Sequence, residues 1–319
     1  MQLQKTPTVA VLALICCALW GSAFPCIKIG YEWFGIEGAG SQILFAGWRF
    51  FLAGVMTLIL FSIKEKHLLC IKRKSVPAVV GQGLLQTTVQ YFFFYLGLAN
   101  TTAAKGSVIT ASNAFFSIIA AYFIFKEERF DLRKACGCLI GFAGVVVVNL
   151  TPESLGGGFN WNGEGFVLLC AVAYGISSVT TKLIADSESP QAITAWQLMI
   201  GGAVLVVMGL FWGGRIGAFT PASAALFFYL AFLSTIAFTI WAVLLKYNPV
   251  GKVAPYGFTI PVFGTVLSGI FLQEAIFTWH NLLALILVSG GILLVNIEKE
   301  RRNPKKGSLK RDCREGNKI

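Results

Sequence analysis

Charge is scarce in this chain of 319 residues, of which only 13% are Asp, Glu, Lys or Arg. Soluble globular domains carry about 25% charged residues, so the shortage excludes an ordinary soluble domain. No acidic residue lies inside a long apolar stretch, and the only histidines are His67 and His280. Because the sequence offers no His–carboxylate cluster and no metal-ligand spacing, we expect neither cofactor nor metal, and no enzymatic activity.

Apolar residues, in contrast, are abundant: they make up 56% of the chain, and the mean hydropathy is +0.71. A helix of about 20 apolar residues is long enough to span a bilayer. Ten such stretches follow one another, which predicts an all-α membrane protein with ten transmembrane helices. The predicted spans are approximately 8–29, 41–62, 76–98, 103–125, 135–150, 164–185, 192–213, 221–245, 250–272 and 279–297.

The net charge of +11 is distributed unevenly among the connections. Basic residues concentrate in 64–74, 126–134 and 299–318, whereas the opposite connections are nearly bare of them. This positive-inside pattern predicts a cell (plasma or inner) membrane protein with both termini in the cytoplasm. We expect 298–319 to be a basic cytoplasmic tail at an anionic leaflet and not a nucleic-acid-binding segment. The connection after the sixth span departs from the pattern, because it carries Asp186 and Glu188.

The second half of the sequence repeats the first. Offsets of 147, 154 and 148 residues pair Lys105 with Lys252, Trp20 with Tyr174, and Arg49 with Gln197, respectively. Five crossings per copy is an odd number, so the second copy must enter the membrane upside down. The sequence therefore predicts two inverted five-helix repeats, 8–150 and 164–297, an architecture typical of carriers that open alternately to the two sides.

Arg49 is the one charge well inside a predicted span. An ionisable group within the membrane is costly unless it is paired or solvated, so by default it indicates function. Two interpretations stay open. Arg49 attracts a carboxylate or phosphate of a substrate, or it extends to the interface or binds backbone carbonyls and so fixes the bundle.

Small and polar residues mark the fourth and ninth spans at corresponding places. The fourth carries a run of such residues over 106–113, and the ninth carries Pro255, Gly257 and Pro261, which weaken a helix. Matching interruptions in two repeats predict a midplane site, although close helix packing also uses small residues. The candidate cavity residues are Trp20, Arg49, Gln90, Tyr91, Asn113, Tyr174, Gln197, Trp241 and Tyr256.

Lys105 and Lys252 are repeat-related, and each opens a span that is rich in small residues. Lysines near span ends commonly extend to the interface. These two are also candidates for gating, since an ammonium group at this position could bind carbonyls at the end of a neighbouring helix and hold a gate closed.

The sequence resembles the EamA-type permeases of the drug/metabolite transporter superfamily over approximately residues 8–297. The motifs that carry the resemblance are 19–24 (LWGSAF), 48–50 (WRF), 103–106 (AAKG), 125–127 (FKE) and 272–274 (LQE). It implies an inner-membrane carrier, often an exporter of amino acids or related metabolites, with a central cavity between the repeats. In the second copy Gln197 and Tyr174 depart from the arginine and tryptophan of the pattern, and the breadth of the family leaves the substrate open.

The function that the sequence favours is a secondary transporter for small organic solutes that works by alternating access. The lack of a carboxylate at mid-membrane favours facilitated diffusion or exchange over a proton relay. The alternatives are an intramembrane enzyme acting on lipid-linked substrates and a membrane sensor without transport. The expected partners are a small-molecule solute and the lipid bilayer, and both a monomer and a homodimer are compatible with the sequence.

Overall fold

The computed structural model describes residues 2–100, 109–125, 132–149, 160–272 and 279–296. Within these ranges the secondary structure is helical, without β-strands. Each main helical segment overlaps one predicted span. The segments are α1 (Thr6–Phe34), α2 (Gly38–Glu65), α3 (76–99), α4 (Ile109–Ile124), α5 (Leu132–Asn149), α6 (Trp161–Ala185), α7 (Pro190–Phe211), α8 (Pro221–Tyr247), α9 (250–272) and α10 (Trp279–Asn296).

Five of the described helices, α1, α2, α6, α7 and α8, are individually long and apolar enough to cross a membrane. They contain 22–29 residues each, against the 20 or so that the hydrocarbon core requires. The prediction of an all-helical membrane protein is therefore confirmed. The number of crossings stays a prediction.

Two helices are irregular. α3 changes from an α-helix (Val76–Gln82) to a π-helix (Gly83–Val89) and back to an α-helix (Gln90–Ala99). α9 contains a 3₁₀ turn, Ala254–Phe258, because Pro255 has no N–H group to donate within a regular helix. Irregular turns of both kinds commonly accompany functional sites in helical proteins.

The helices pack in pairs that correspond between the two halves of the chain. α2 packs along α7, and α5 packs along α10. α1 contacts α8 and α9, while α6 contacts α3 and α4. Exchanging the two halves turns each of these sets of contacts into the other.

Glycines permit the closest of these crossings, and two of them correspond between the halves. A Cβ atom at Gly21 of α1 would lie 2.6 Å from the Cβ of Phe263 on α9. A Cβ atom at Gly175 of α6 would lie 2.6 Å from the Cβ of Phe116 on α4. Only glycine allows the backbones to approach so closely.

Local signals set where the helices begin and end. The Ser189 hydroxyl accepts a hydrogen bond from the Ala192 backbone N–H (3.1 Å) and starts α7. A reciprocal capping box between Thr220 and Ser223 starts α8. Gly35, with φ of 57°, ends α1 in the left-handed conformation that glycine adopts without strain.

Candidate functional site

A central cavity of about 120 Å³ lies between seven helices, α1, α2, α3, α4, α6, α8 and α9. A small neighbouring cavity of about 30 Å³ continues it along α4 and the irregular part of α9. The two helices that carry small and polar residues at corresponding places, α4 and α9, therefore both line these cavities. Six of the nine candidate residues line the central cavity: Trp20, Arg49, Gln90, Tyr91, Asn113 and Tyr174.

Arg49 projects from α2 into this cavity and is only 2% exposed. Its Nη2 donates a long hydrogen bond to the Ser234 hydroxyl (3.4 Å), and its guanidinium carbon lies 4.6 Å from the ring centre of Phe50. Its Nε and Nη1 have no hydrogen-bond partner among the described residues. Among the described residues, the ion pair that is found joins His67 to Glu65 and does not involve Arg49. Arg49 therefore neither reaches the interface nor sits in a carboxylate ion pair within the described structure.

Three more polar atoms of the cavity are buried without a partner in the described chain: Gln90 Oε1, Asn113 Oδ1 and Trp20 Nε1. A buried polar group that lacks a hydrogen bond costs about 1–3 kcal/mol, and more if it is charged. Such groups are uncommon in folded proteins and call for an explanation when they cluster. The simplest explanation is a bound solute or water that forms hydrogen bonds with these atoms.

Aromatic rings form much of the remaining wall. Trp20 packs edge-on against Phe238, with 5.5 Å between ring centres. The ring centres of Tyr91 and Phe50 are 4.3 Å apart. Phe94 and Phe238 line the cavity but were not among the predicted residues. The repeat contained the signal for Phe238, because the offset of 147 places it opposite Tyr91.

The structure places Gln197, Trp241 and Tyr256 away from the central cavity. Trp241 stands behind Trp20, 5.1 Å between ring centres. Tyr256 is buried in the core, and its backbone carbonyl accepts a hydrogen bond from the Cys17 thiol (3.2 Å). Gln197 lies where α7 packs on the π-helical part of α3, against Gly83.

A polar layer joins α3 to α6 beside the cavity. Gln82 Nε2 donates to Gln86 Oε1 (2.6 Å), to the Ser177 carbonyl (3.1 Å) and to Thr181 Oγ1 (2.6 Å). The Thr180 hydroxyl donates to Gln82 Oε1. Gln82, Gln86 and Thr181 are all buried. The layer lies one to two turns along α3 and α6 from the cavity residues of these helices.

Lysines bind backbone carbonyls at this same end. Lys252, a candidate for gating, binds the N-terminal segment in this way, whereas Lys105 lies outside the described residues. Two of the acceptors belong to the short connection that carries Asp186 and Glu188, so two lysines, one from the last turn of α8 and one from the connection before α3, accompany its acidic residues. The contacts are Lys252 Nζ to Gln4 O (3.1 Å), Lys182 Nζ to Asn248 O (2.7 Å), Lys246 Nζ to Glu188 O (3.1 Å) and Lys72 Nζ to Ser187 O (2.5 Å).

A helical membrane protein with a partly polar cavity buried among its helices has the form of a solute transporter. The chain belongs to the EamA-like transporter family, whose model matches residues 7–150 and again residues 161–297. The resemblance drawn from the sequence motifs is thus confirmed.

Individual relatives agree with this assignment. The chain is 28% identical over 302 residues to "Uncharacterized transporter YvbV" of Bacillus subtilis (strain 168), covering 94% of each protein. It is 26% identical over 309 residues to the "Probable amino-acid metabolite efflux pump" of Escherichia coli (strain K12), covering 90% of this chain and 94% of that protein. A solved crystal structure with 17% sequence identity shares the fold, with a TM-score of 0.77 over 92% of this chain and 97% of the other.

Proposed function

We propose that this protein is a secondary transporter for small amphipathic organic solutes that carry a carboxylate, amino acids and related metabolites among them. The observation that carries the proposal is the buried guanidinium of Arg49, which presents two unpartnered nitrogens to an aromatic-lined cavity. The name of the Escherichia coli relative, a probable amino-acid metabolite efflux pump, supports the substrate class.

The cavity chemistry matches such a solute group by group. A guanidinium offers parallel N–H donors that fit the two oxygens of a carboxylate. The side-chain amides of Gln90 and Asn113 offer oxygens that accept hydrogen bonds from an amino group, and aromatic faces attract a cation and pack against apolar carbon. A solute with a carboxylate, an amino group and an apolar body would use all of these groups together.

In the proposed mechanism the two halves, 8–150 and 164–297, are inverted repeats of five spans each, and they move relative to each other around the cavity. Three observations support the repeat: the constant sequence offsets, the two successive family matches, and the exchange of helix contacts between the halves. The close contact of Gly21 with Phe263 corresponds to that of Gly175 with Phe116.

In the proposed orientation, which follows the positive-inside pattern, the lysine–carbonyl contacts lie on the cytoplasmic side with both termini and the tail 298–319. The cavity is then closed toward the cytoplasm by the α3–α6 polar layer and by these contacts. Opening to the cytoplasm requires both to separate. Because no carboxylate lines the described cavity, we propose exchange or facilitated diffusion in preference to proton coupling.

The test uses the full chain in proteoliposomes, with solutes first selected by a thermal-shift screen of amino acids and related carboxylates. Preloaded liposomes should take up labelled solute by exchange, and an imposed proton gradient should change the rate little. Arg49→Gln should raise the KM for carboxylate solutes at least tenfold, since a charge-assisted hydrogen bond contributes about 1.5–3 kcal/mol.

Lys64→Gln is the matched control, because Lys64 is another cation of α2 that lies outside the cavity. It should leave the KM unchanged. If Arg49→Gln folds and transports carboxylates with the wild-type KM, the guanidinium is structural and the proposed substrate class is wrong.

A further inference from the structure

A second large space lies outside the transport route, on the surface of the bundle. It is an apolar crevice of about 520 Å³ between α2, α8 and the connection that precedes α8. Its walls include Leu44, Trp48 and Val55 of α2, Ile216 and Phe219 of the connection, and Phe227 of α8. It shares no lining residue with the central cavity. Trp48 is 45% exposed and Phe219 is 58% exposed, so the crevice faces the surroundings of the protein.

The neighbouring face of α2 is occupied by α7. A Cβ atom at Gly47 would lie 2.5 Å from the Val206 backbone nitrogen, and one at Gly54 would lie 2.6 Å from the Met199 backbone nitrogen. α2 is thus pressed against α7 through its small residues. Trp48 and Val55, each the residue after one of these glycines, lie about 100° around the helix from them and line the crevice.

The crevice has the length of one lipid leaflet. Leu44 and Val55 are 11 residues apart in an α-helix that rises about 1.5 Å per residue, a distance of about 16 Å. Half of a hydrocarbon core of about 30 Å is nearly the same. Since α2 begins at Gly38, the crevice starts about two turns inside one end of the helix and reaches the middle of the membrane.

A cation stands at the shallow end of this crevice. Arg215 directly precedes the lining residue Ile216, and its backbone N–H donates to the hydroxyl of Ser41 on α2 (3.1 Å), one turn before Leu44. The side chain is exposed, and no carboxylate of the described chain lies within ion-pair distance of it. Arginine binds phosphate oxygens with two parallel hydrogen bonds.

We propose that the crevice is a phospholipid site, in which one acyl chain lies between α2 and α8 and the phosphate is bound by Arg215. The lipid comes from the leaflet at the Gly38 end of α2. The length of the crevice, its apolar walls and the arginine at its shallow end together fit a phospholipid. A water-soluble metabolite would find few polar partners along the walls. The site is separate from the solute cavity, so the proposal stands or falls independently of the transported substrate.

Native mass spectrometry of the full chain in detergent tests the site, with phosphatidylglycerol as the added lipid. Wild type should retain one lipid per chain after the loosely held lipids have dissociated. Val55→Trp fills the deep end of the crevice and should lower the retained fraction at least fivefold. Ile59→Trp is the matched control, because Ile59 lies one turn further along α2, is 52% exposed and is not part of the crevice; it should retain the lipid.

Arg215→Gln tests the headgroup contact and changes only an exposed residue, so it remains informative if Val55→Trp does not fold. It should weaken phosphatidylglycerol binding about tenfold, as expected for loss of a charge-assisted hydrogen bond. Arg73→Gln, which removes an exposed arginine at the other end of the bundle, should have no such effect. Equal lipid retention by both members of each pair, or a dimer in place of the lipid-bound monomer, would overturn the proposal.

Discussion

The α3–α6 interface and the α1–α8 interface occupy equivalent positions in the two halves of the chain, yet they are built from different chemistry. In α3–α6, Gln82 binds Gln86 and Thr181 in a buried polar layer. The sequence offsets place Tyr229, Leu233 and Ile27 at the corresponding positions of α1–α8. There the Tyr229 hydroxyl makes a hydrogen bond with Ser22 (2.7 Å), whereas Leu233 and Ile27 belong to an apolar cluster.

The difference indicates how one fold can favour one state. Opening the polar layer leaves several buried polar groups unpaired at once, whereas opening the other interface breaks a single hydrogen bond. In the proposed orientation the polar layer closes the cytoplasmic side. The equivalent opening on the other side is held mainly by apolar contact, so the resting protein should open more readily away from the cytoplasm.

The largest expected effect is on stability and concerns the close glycine crossings that both halves contain. Gly21→Ala and Gly175→Ala should each lower the free energy of unfolding by about 3 kcal/mol, because the added Cβ would meet a phenylalanine Cβ at 2.6 Å. The two losses should be similar if the halves are structurally equivalent. Thermal unfolding of the purified variants in detergent measures both.

Gly81→Ala is the control for these substitutions. Gly81 lies in α3, and a Cβ atom there meets nothing within 4 Å. Alanine should therefore be neutral or slightly stabilising at this position, since it favours helix more than glycine does. Similar unfolding temperatures for all three variants would contradict the close crossings.

The next effect separates the two interfaces. Gln82→Leu removes four hydrogen bonds from the polar layer and leaves Gln86 and Thr181 with only their long mutual contact (3.5 Å), which should destabilise the cytoplasm-closed state by about 2 kcal/mol. Tyr229→Leu removes one hydrogen bond and should cost the opposite closure about 1 kcal/mol. Cys170 lines the cavity and is 1% exposed, so its alkylation by an impermeant maleimide reports opening in a variant whose other cysteines are replaced.

Gln82→Leu should accelerate labelling from the cytoplasmic side of oriented vesicles, and Tyr229→Leu should accelerate it from the other side. Each variant serves as the control for the other. The comparison fails if the two variants respond alike, or if Gln82→Leu acts only from the side opposite to the lysine–carbonyl contacts.

Much of this fold could be predicted from the sequence because length and composition determine it. Ten apolar stretches correspond to ten helical segments, and the prolines of α9 weaken that helix where a 3₁₀ turn is found. The position of Arg49 in the central cavity was also predictable, since a lone charge in an apolar stretch is costly where it faces lipid.

The orientation of each helix about its axis was not predictable in the same way. Helices that are apolar all round lack a strong polar face to direct them. Trp241 and Tyr256 therefore fitted the predicted cavity as well as Tyr91 did, and only tertiary packing places them behind it. The π-helical turn of α3 likewise depends on contacts with α6 and α7 that are distant in the sequence.

The smallest expected effect is on cytoplasmic opening and distinguishes two of the lysines that bind backbone carbonyls. Lys182 is half-buried, its ammonium group lies 5.3 Å from the Phe125 ring centre, and it binds the Asn248 carbonyl at 2.7 Å. Lys182→Met should weaken the closure by about 1 kcal/mol, roughly a fivefold increase in cytoplasmic labelling of Cys170. Lys252→Met should give less than a twofold increase, because its contact with Gln4 is exposed and water replaces it readily. An equal response from the two variants would mean that burial does not determine the strength of these contacts. The lysine–carbonyl contacts would then form a flexible surface and would not be part of the closure.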